Sequence, residues 1–151
     1  MEKLTAKAGI QIQKSANEVF NAIVTARGMS RYFIETATGD LQTGKTVTWK
    51  FPEFDDRFPV TVKEIKEGKY VSFDWSGGVD GMLVEMFLIP QEDGSTVVRI
   101  AEHFMEKNDE GIVKLMQQTE GWANFLACLK ASLEYGINLR KGAFDFMRVK
   151  K

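Results

Sequence analysis

The sequence predicts an α+β fold in which a curved antiparallel sheet of six to seven strands grips one long C-terminal helix, with two short helices placed after the first strand. Three observations carry this expectation. Over most of the stretch from Thr46 to Met105 apolar residues recur at a period of two, and the connections are short, which favours antiparallel neighbours. Towards the C-terminus the period becomes helical, with Trp122, Phe125, Leu126, Leu129, Leu133 and Ile137 spaced three and four apart. One helix, about 10 Å across, is too narrow for the apolar face of so wide a sheet. The sheet must therefore twist around it, and the short helices must close the remaining gap.

The elements follow in order. Ala8 to Gln13 alternates apolar and polar residues, the pattern of a half-buried strand. Ser15-Ala16-Asn17-Glu18 fits a capping box, and Val19, Phe20, Ile23 and Val24 continue at helical spacing. A second short helix is expected around Met29 to Phe33, with Gly28 as punctuation between the two. Val47, Trp49 and Phe51 alternate with Thr48 and Lys50. Phe58 to Glu67 reads as a strand of ambiguous register with room for a bulge, and Glu67-Gly68-Lys69 turns it into Tyr70 to Trp75. Ser76-Gly77-Gly78 marks the next turn. Gly81 to Pro90 and Ser95 to Met105 form a further hairpin across Gln91-Glu92-Asp93-Gly94. The final helix is expected to stop near Gly142. Gly121 and Gly136 fall inside its run at a cost of about 1 kcal/mol each relative to Ala, which implies a packing reason such as the close approach of backbone or ligand.

Composition narrows the function. The 151 residues fit one domain spanning residues 1–151, and a net charge of −1 gives no general electrostatic footprint for nucleic acid or an anionic membrane. No apolar run reaches the roughly 18 residues of a membrane span, and the first residues lack the apolar stretch of a signal peptide. A cytoplasmic location is expected. Cys128 is the single cysteine and His103 the single histidine, so a zinc site of ordinary composition is excluded and no metal or cofactor is expected. No phosphate-loop or dinucleotide fingerprint occurs. Cys128 reads as a small buried thiol, and Asp55-Asp56 and Glu106 to Glu110 as solvated loops.

Several segments together resemble a known family. Ile10-Gln11-Ile12 followed by Ser15 to Phe20, Met29-Ser30-Arg31-Tyr32-Phe33, Val71 to Trp75, Gly94 to Val98, and Gly121-Trp122 followed by Leu126, Leu129 and Leu133 stand in the order found in homologues of the heat-shock-protein-90 ATPase activator. This family lies within the START/SRPBCC superfamily of helix-grip folds. Phe20 and Tyr32 stand where tryptophan is common in the family. The resemblance implies the helix-grip fold; its superfamily includes carriers, cyclases and hydrolases, so it does not select a function. The chaperone activator carries a separate N-terminal domain for much of its chaperone contact, for which this chain has no room.

Space left between sheet and helix would form an apolar cavity, although large aromatics could instead fill it. Eleven Phe, three Trp and three Tyr are more aromatic bulk than a domain of this size needs for filling, so some could line such a cavity. The candidate ligand-binding residues are Phe33, Trp49, Phe51, Phe73, Trp75, Met86, Ile100, Glu102, Trp122, Phe125 and Leu129. The resemblance places Val98, Ile100, Glu102 and Phe104 on the inward face of one strand, and Val97, Arg99, Ala101 and His103 on the other. Glu102 then either orients a ligand or is solvated or paired with Arg or Lys.

Three functions compete. The leading expectation is non-catalytic binding or transport of an apolar or aromatic, lipid-like small molecule. The second is a cyclase- or hydrolase-type enzyme using one carboxylate and water, and the third a chaperone-associated interaction module. A homodimer is also expected, through the outer sheet face carrying Leu83, Phe87, Ile89 and Val97, with Glu85 and Arg99 available to pair there. The alternatives are a one-residue register error, or a C-terminal tail (Phe144, Phe146, Met147) folded over that patch.

Overall fold

The Ser15 hydroxyl accepts from the Glu18 N–H at 3.3 Å, so the first helix starts where its capping box predicts. The computed structural model describes residues 3–76 and 82–148. Strand β1 (Lys3–Ile12) leads into helices α1 (Ala16–Val24) and α2 (Ala26–Met29). Five strands follow: β2 (Thr36–Ala37), β3 (Thr46–Lys50), β4 (Arg57–Lys66), β5 (Tyr70–Asp74) and β6 (Leu83–Pro90). β7 (Thr96–Glu106), helix α3 (Asp109–Tyr135) and a 3-10 turn at Asp145–Met147 complete the order.

The seven strands form one antiparallel sheet in the order β1-β7-β6-β5-β4-β3-β2. The meander from β3 to β7 is the one predicted, and β1 returns to pair with β7. Helix α3 lies across β1 and β7. The curved sheet and the long helix make the α+β layout that the change of period foretold. Ambiguity in β4 resolves as a register shift between Val62 and Glu64.

Four local expectations are corrected. Thr25 both ends α1 and caps α2, so the second helix occupies Ala26–Met29, with Gly28 inside it and only turns from Ser30 to Phe33. Helix α3 begins well before its apolar stripe. Asn108 caps it through a 2.8 Å bond from the Gly111 N–H, and Asp109 and Glu110, read as loop, form its first turn, where negative charge suits the helix dipole. It ends at Gly136 rather than Gly142, because Gly136 takes a left-handed φ of 66° and the Gly136 N–H turns back to Ser132. Ile137 therefore lies beyond the helix.

The fourth correction concerns β7. Between the pairs Leu4↔Met105 and Ala6↔Glu102 the strand carries an extra residue, and Phe104 sits at φ 73°. This bulge breaks the alternation: Phe104 turns outward at 53% exposure, and Met105 goes inside in its place. Val98, Ile100 and Glu102 keep the inward face expected of them. Just beyond, the chain turns sharply into α3. A Cβ at Gly111 would collide with the Glu106 carbonyl, so the corner admits only glycine. The turn predicted at Gly77-Gly78 and the expected start of β6 at Gly81 lie outside the described residues.

Candidate functional site

The interior is packed where an open cavity was one of the two expectations. Phe33 meets Phe125 at 4.7 Å and Trp49 at 5.6 Å between ring centroids; Trp49 meets Phe73 at 5.4 Å, and Trp122 meets Phe125 at 5.3 Å. Edge-to-face contacts of this kind fill volume closely. Trp49, Phe73, Met86, Ile100, Phe125 and Leu129 are sealed within this packing, none more than 2% exposed. They are core side chains.

The remaining candidates converge at the mouth. Phe33, Phe51, Trp75 and Trp122 line a pocket of about 390 Å³, together with Phe54, Phe144 and Met147. Its third side is the middle of α3, where Gln117, Gln118, Gly121 and Asn124 face it. Nothing lies within 4 Å of where a Gly121 Cβ would stand. The glycine marks open space, so its cost to the helix has no close backbone contact behind it. A wider depression of about 1090 Å³ lies between α1, α2 and the end of α3. Its lining mixes Lys14, Arg27 and Arg31 with Glu18 and Asp40, and none of the candidate residues reaches it.

Glu102 is fully buried, and among the described residues it is not paired with a cation. It accepts from Trp122 Nε1 at 2.7 Å and Gln118 Nε2 at 2.9 Å on one oxygen, and from Trp75 Nε1 at 3.1 Å on the other. All three donors belong to side chains that line the pocket. Alternation on β7 aims the carboxylate inward, and α3 delivers Gln118 and Trp122 one turn apart on the facing side. Glu102 thus holds the pocket wall without entering the pocket, and its buried oxygens are satisfied by neutral groups.

A second buried carboxylate escaped the sequence reading. Glu53, in the β3–β4 connection, has a side chain only 2% exposed and accepts from Arg140 Nη2 at 2.7 Å. The Arg140 guanidinium lies against three rings, 5.6 Å from the centre of Phe33, 5.0 Å from Phe51 and 4.9 Å from Phe144. Arg140 and Glu53 are 87 residues apart, and no local pattern joins them. The pair fastens the C-terminal segment across the pocket mouth. Phe144 and Met147 therefore build the pocket instead of covering the outer sheet face, and Phe146 stays 79% exposed.

Two further groups are shaped by burial. Burial pushes the Cys128 thiol pKa up, as suits an inert side chain. Tyr32 is raised well above its ordinary value, again by burial first, and its hydroxyl donates to the Ala22 carbonyl at 2.9 Å. Among the described residues no cluster of His, Cys, Asp and Glu suits a metal ion, and no helix is long and apolar enough to cross a membrane.

The outer face of β6 and β7 has the predicted register. Phe87 and Ile89 are 37% and 41% exposed, while Leu83, Val97 and Ala101 are half-buried. Glu85 does not pair with Arg99. The Tyr70 hydroxyl donates to it at 2.5 Å and His103 Nε2 lies 2.6 Å away, because β5 and the β7 residue nearest the bulge bring those groups closer. Arg99 stands opposite Phe87 and is exposed. His103 is half-buried through this contact, not freely exposed.

A long helix held in a seven-stranded antiparallel sheet, with an aromatic pocket at its mouth, defines a helix-grip domain of the SRPBCC type. Residues 13–134 match the family described as Activator of Hsp90 ATPase homolog 1-like protein, and the chain belongs to that family. Among curated protein sequences none matches this chain. Solved structures share the fold at low identity. A Staphylococcus saprophyticus protein is 24% identical with a TM-score of 0.80, over 91% of this chain and 96% of its own. The Aha1 dimer from Colwellia psychrerythraea is 22% identical with a TM-score of 0.75, over 88% of this chain and 98% of its own. DynU16, from the dynemicin biosynthetic locus, is 19% identical with a TM-score of 0.76, over 88% of this chain; this chain spans about half (48%) of that protein.

Proposed function

We propose that the protein binds an apolar or aromatic small molecule, without catalysis, in the pocket between the middle of α3, the β3–β4 connection and the C-terminal segment. The observation that carries this reading is the lining. A concave space of about 390 Å³ is walled by Phe33, Phe51, Phe54, Trp75, Trp122 and Phe144 and is left open by the missing side chain of Gly121. Phe33, Phe51, Trp75 and Trp122 are the contact residues. Glu102 positions two of them, and the sealed residues Trp49, Phe73, Met86, Ile100 and Phe125 keep the wall rigid. A carboxylate-and-water enzyme has less support, since Glu102 stands behind the indoles with its oxygens occupied.

Tryptophan fluorescence and melting temperature, followed against a library of flat apolar compounds, test the reading. Binders should shift both, and at ~100 times the dissociation constant should stabilise the fold by roughly 2.7 kcal/mol. Gly121→Leu should fill the pocket and abolish binding while the protein stays folded. A library that changes neither observable, or binding that survives Gly121→Leu, overturns it.

A second reading concerns assembly. Phe87 and Ile89 stand exposed beside half-buried Leu83 and Val97, and the Colwellia psychrerythraea relative is described as a dimer. We infer a homodimer through this outer face, the surface a chaperone-type partner would also use. Sedimentation equilibrium at ~100 µM tests it, since a specific interface should persist there; a 17 kDa species excludes the dimer.

A further inference from the structure

We infer that the pocket selects ligands carrying a positively charged, alkylated nitrogen, and that Glu102 sets this preference through the two indoles it holds. The inference rests on the small-molecule reading above and adds the chemical class.

Four observations lead there. Glu102 is a buried acceptor with three neutral donors, whereas Glu53 nearby is matched by the guanidinium of Arg140. The negative charge of Glu102 therefore has no cationic partner among the groups that hold it. Two of its bonds come from the N–H groups of Trp75 and Trp122, whose rings line the pocket with centroids 5.3 Å apart. An indole N–H that donates to a carboxylate gains electron density in its ring, which strengthens the attraction of its face for a cation.

The same wall already holds a cation in this manner, since Arg140 lies about 5 Å from the rings of Phe51 and Phe144. Among the described residues, the charged side chains lining the pocket are Glu120 and Arg140, and Arg140 is paired with Glu53. The carboxylates of Glu102 and Glu120 thus leave negative charge at this wall. Glu102 is covered by its donors and offers the ligand no direct hydrogen bond. Against the aromatic side of the pocket a bare ammonium would lose water without gaining a bond from Glu102 in return. An alkylated nitrogen has few or no donors to satisfy and sheds water readily, so it fits an aromatic wall with a charge behind it.

Benzyltrimethylammonium, its neutral isostere neopentylbenzene and phenylmethanesulfonate separate the possibilities. Binding is read from the indole N–H signals of Trp75 and Trp122 by NMR. The cation should bind about tenfold or more tighter than the neutral isostere, and the sulfonate weakest. Glu102→Gln should bring cation and isostere to within about twofold. Glu102→Met supplies the same readout if Glu102→Gln fails to fold, because it removes the same charge without placing a new one in the pocket wall. Equal binding of cation and isostere by the wild type overturns the charge preference and leaves the small-molecule reading standing. Binding of none of the three, together with a silent apolar library, overturns both. A preference that persists in the folded variants overturns the role given to Glu102.

Discussion

The two ends of the interior are built from different materials. Where α1, β1 and the last turns of α3 meet, Ile12, Val19, Ile23, Leu126 and Leu129 contribute only hydrocarbon and are almost fully buried. Around Trp122 the filling is aromatic, two carboxylates are buried, and a pocket opens. Aliphatic packing gains stability from area alone and has no orientation to maintain. The aromatic end carries groups whose burial costs free energy unless each bond is made. A fold gains little net stability from such groups.

This contrast can be attacked first at the aliphatic end. Leu129→Ala should cost about 2–5 kcal/mol in denaturant unfolding. A loss near 1 kcal/mol would mean that this end collapses easily, and the contrast would be wrong.

Next comes the ion pair at the aromatic end. Arg140→Ala leaves the Glu53 carboxylate buried without its cation, for an expected loss of about 2–3 kcal/mol. That is below the full value for a buried pair, because the Arg140 side chain is itself 13% exposed. The double variant with Glu53→Ala should recover part of the loss; strict additivity would show that the two do not act together.

Cys128 sharpens the boundary between the two ends. Burial raises its pKa in the folded state, so folding favours the protonated thiol. The stability it contributes is complete below the unfolded value, about 8.5, and is lost as pH rises through the higher folded value. In native protein at pH 8 the thiol should resist aromatic disulfide reagents and react only on unfolding; rapid labelling would place it at an open surface.

The smallest effect is expected outside the core. Phe87→Glu should change monomer stability by no more than about 0.5 kcal/mol while splitting any dimer. A substantial fall in melting temperature of the monomer would assign Phe87 to packing within the chain, against Tyr70, whose ring centre lies 5.2 Å away.

The sequence carried those features whose causes are periodic or local. Ser15 and Glu18 announce a helix start, the alternation through Val98, Ile100 and Glu102 announces an inward face, and Gly68 announces a turn at φ 72°. Phe104 carries no such signal. Its side chain continues the alternation in the sequence, and only the pairing of β1 with β7 reveals the extra residue. The first turns of α3 were hidden for another reason: Ile112, Val113 and Met116 are exposed there, so no buried stripe marks the helix. The inward aim of Glu102 was legible, but the donors that meet it were not, because they depend on where α3 crosses the sheet. The bond between Arg140 and Glu53 joins residues 87 positions apart and leaves no trace in either neighbourhood.

The corner at Gly111 has a mechanical consequence. Helix α3, 27 residues long, is a lever of about 40 Å pivoted where its first turn is jammed against the Glu106 carbonyl. Trp122 stands roughly 16 Å from that fulcrum, so a tilt of about 5° there would displace its indole by about 1.4 Å. Such a shift would break a hydrogen bond of 2.7 Å to Glu102. The close approach at Gly111 thus bears on geometry about a dozen residues away, and a side chain forced in there should lengthen the bond between Trp122 and Glu102.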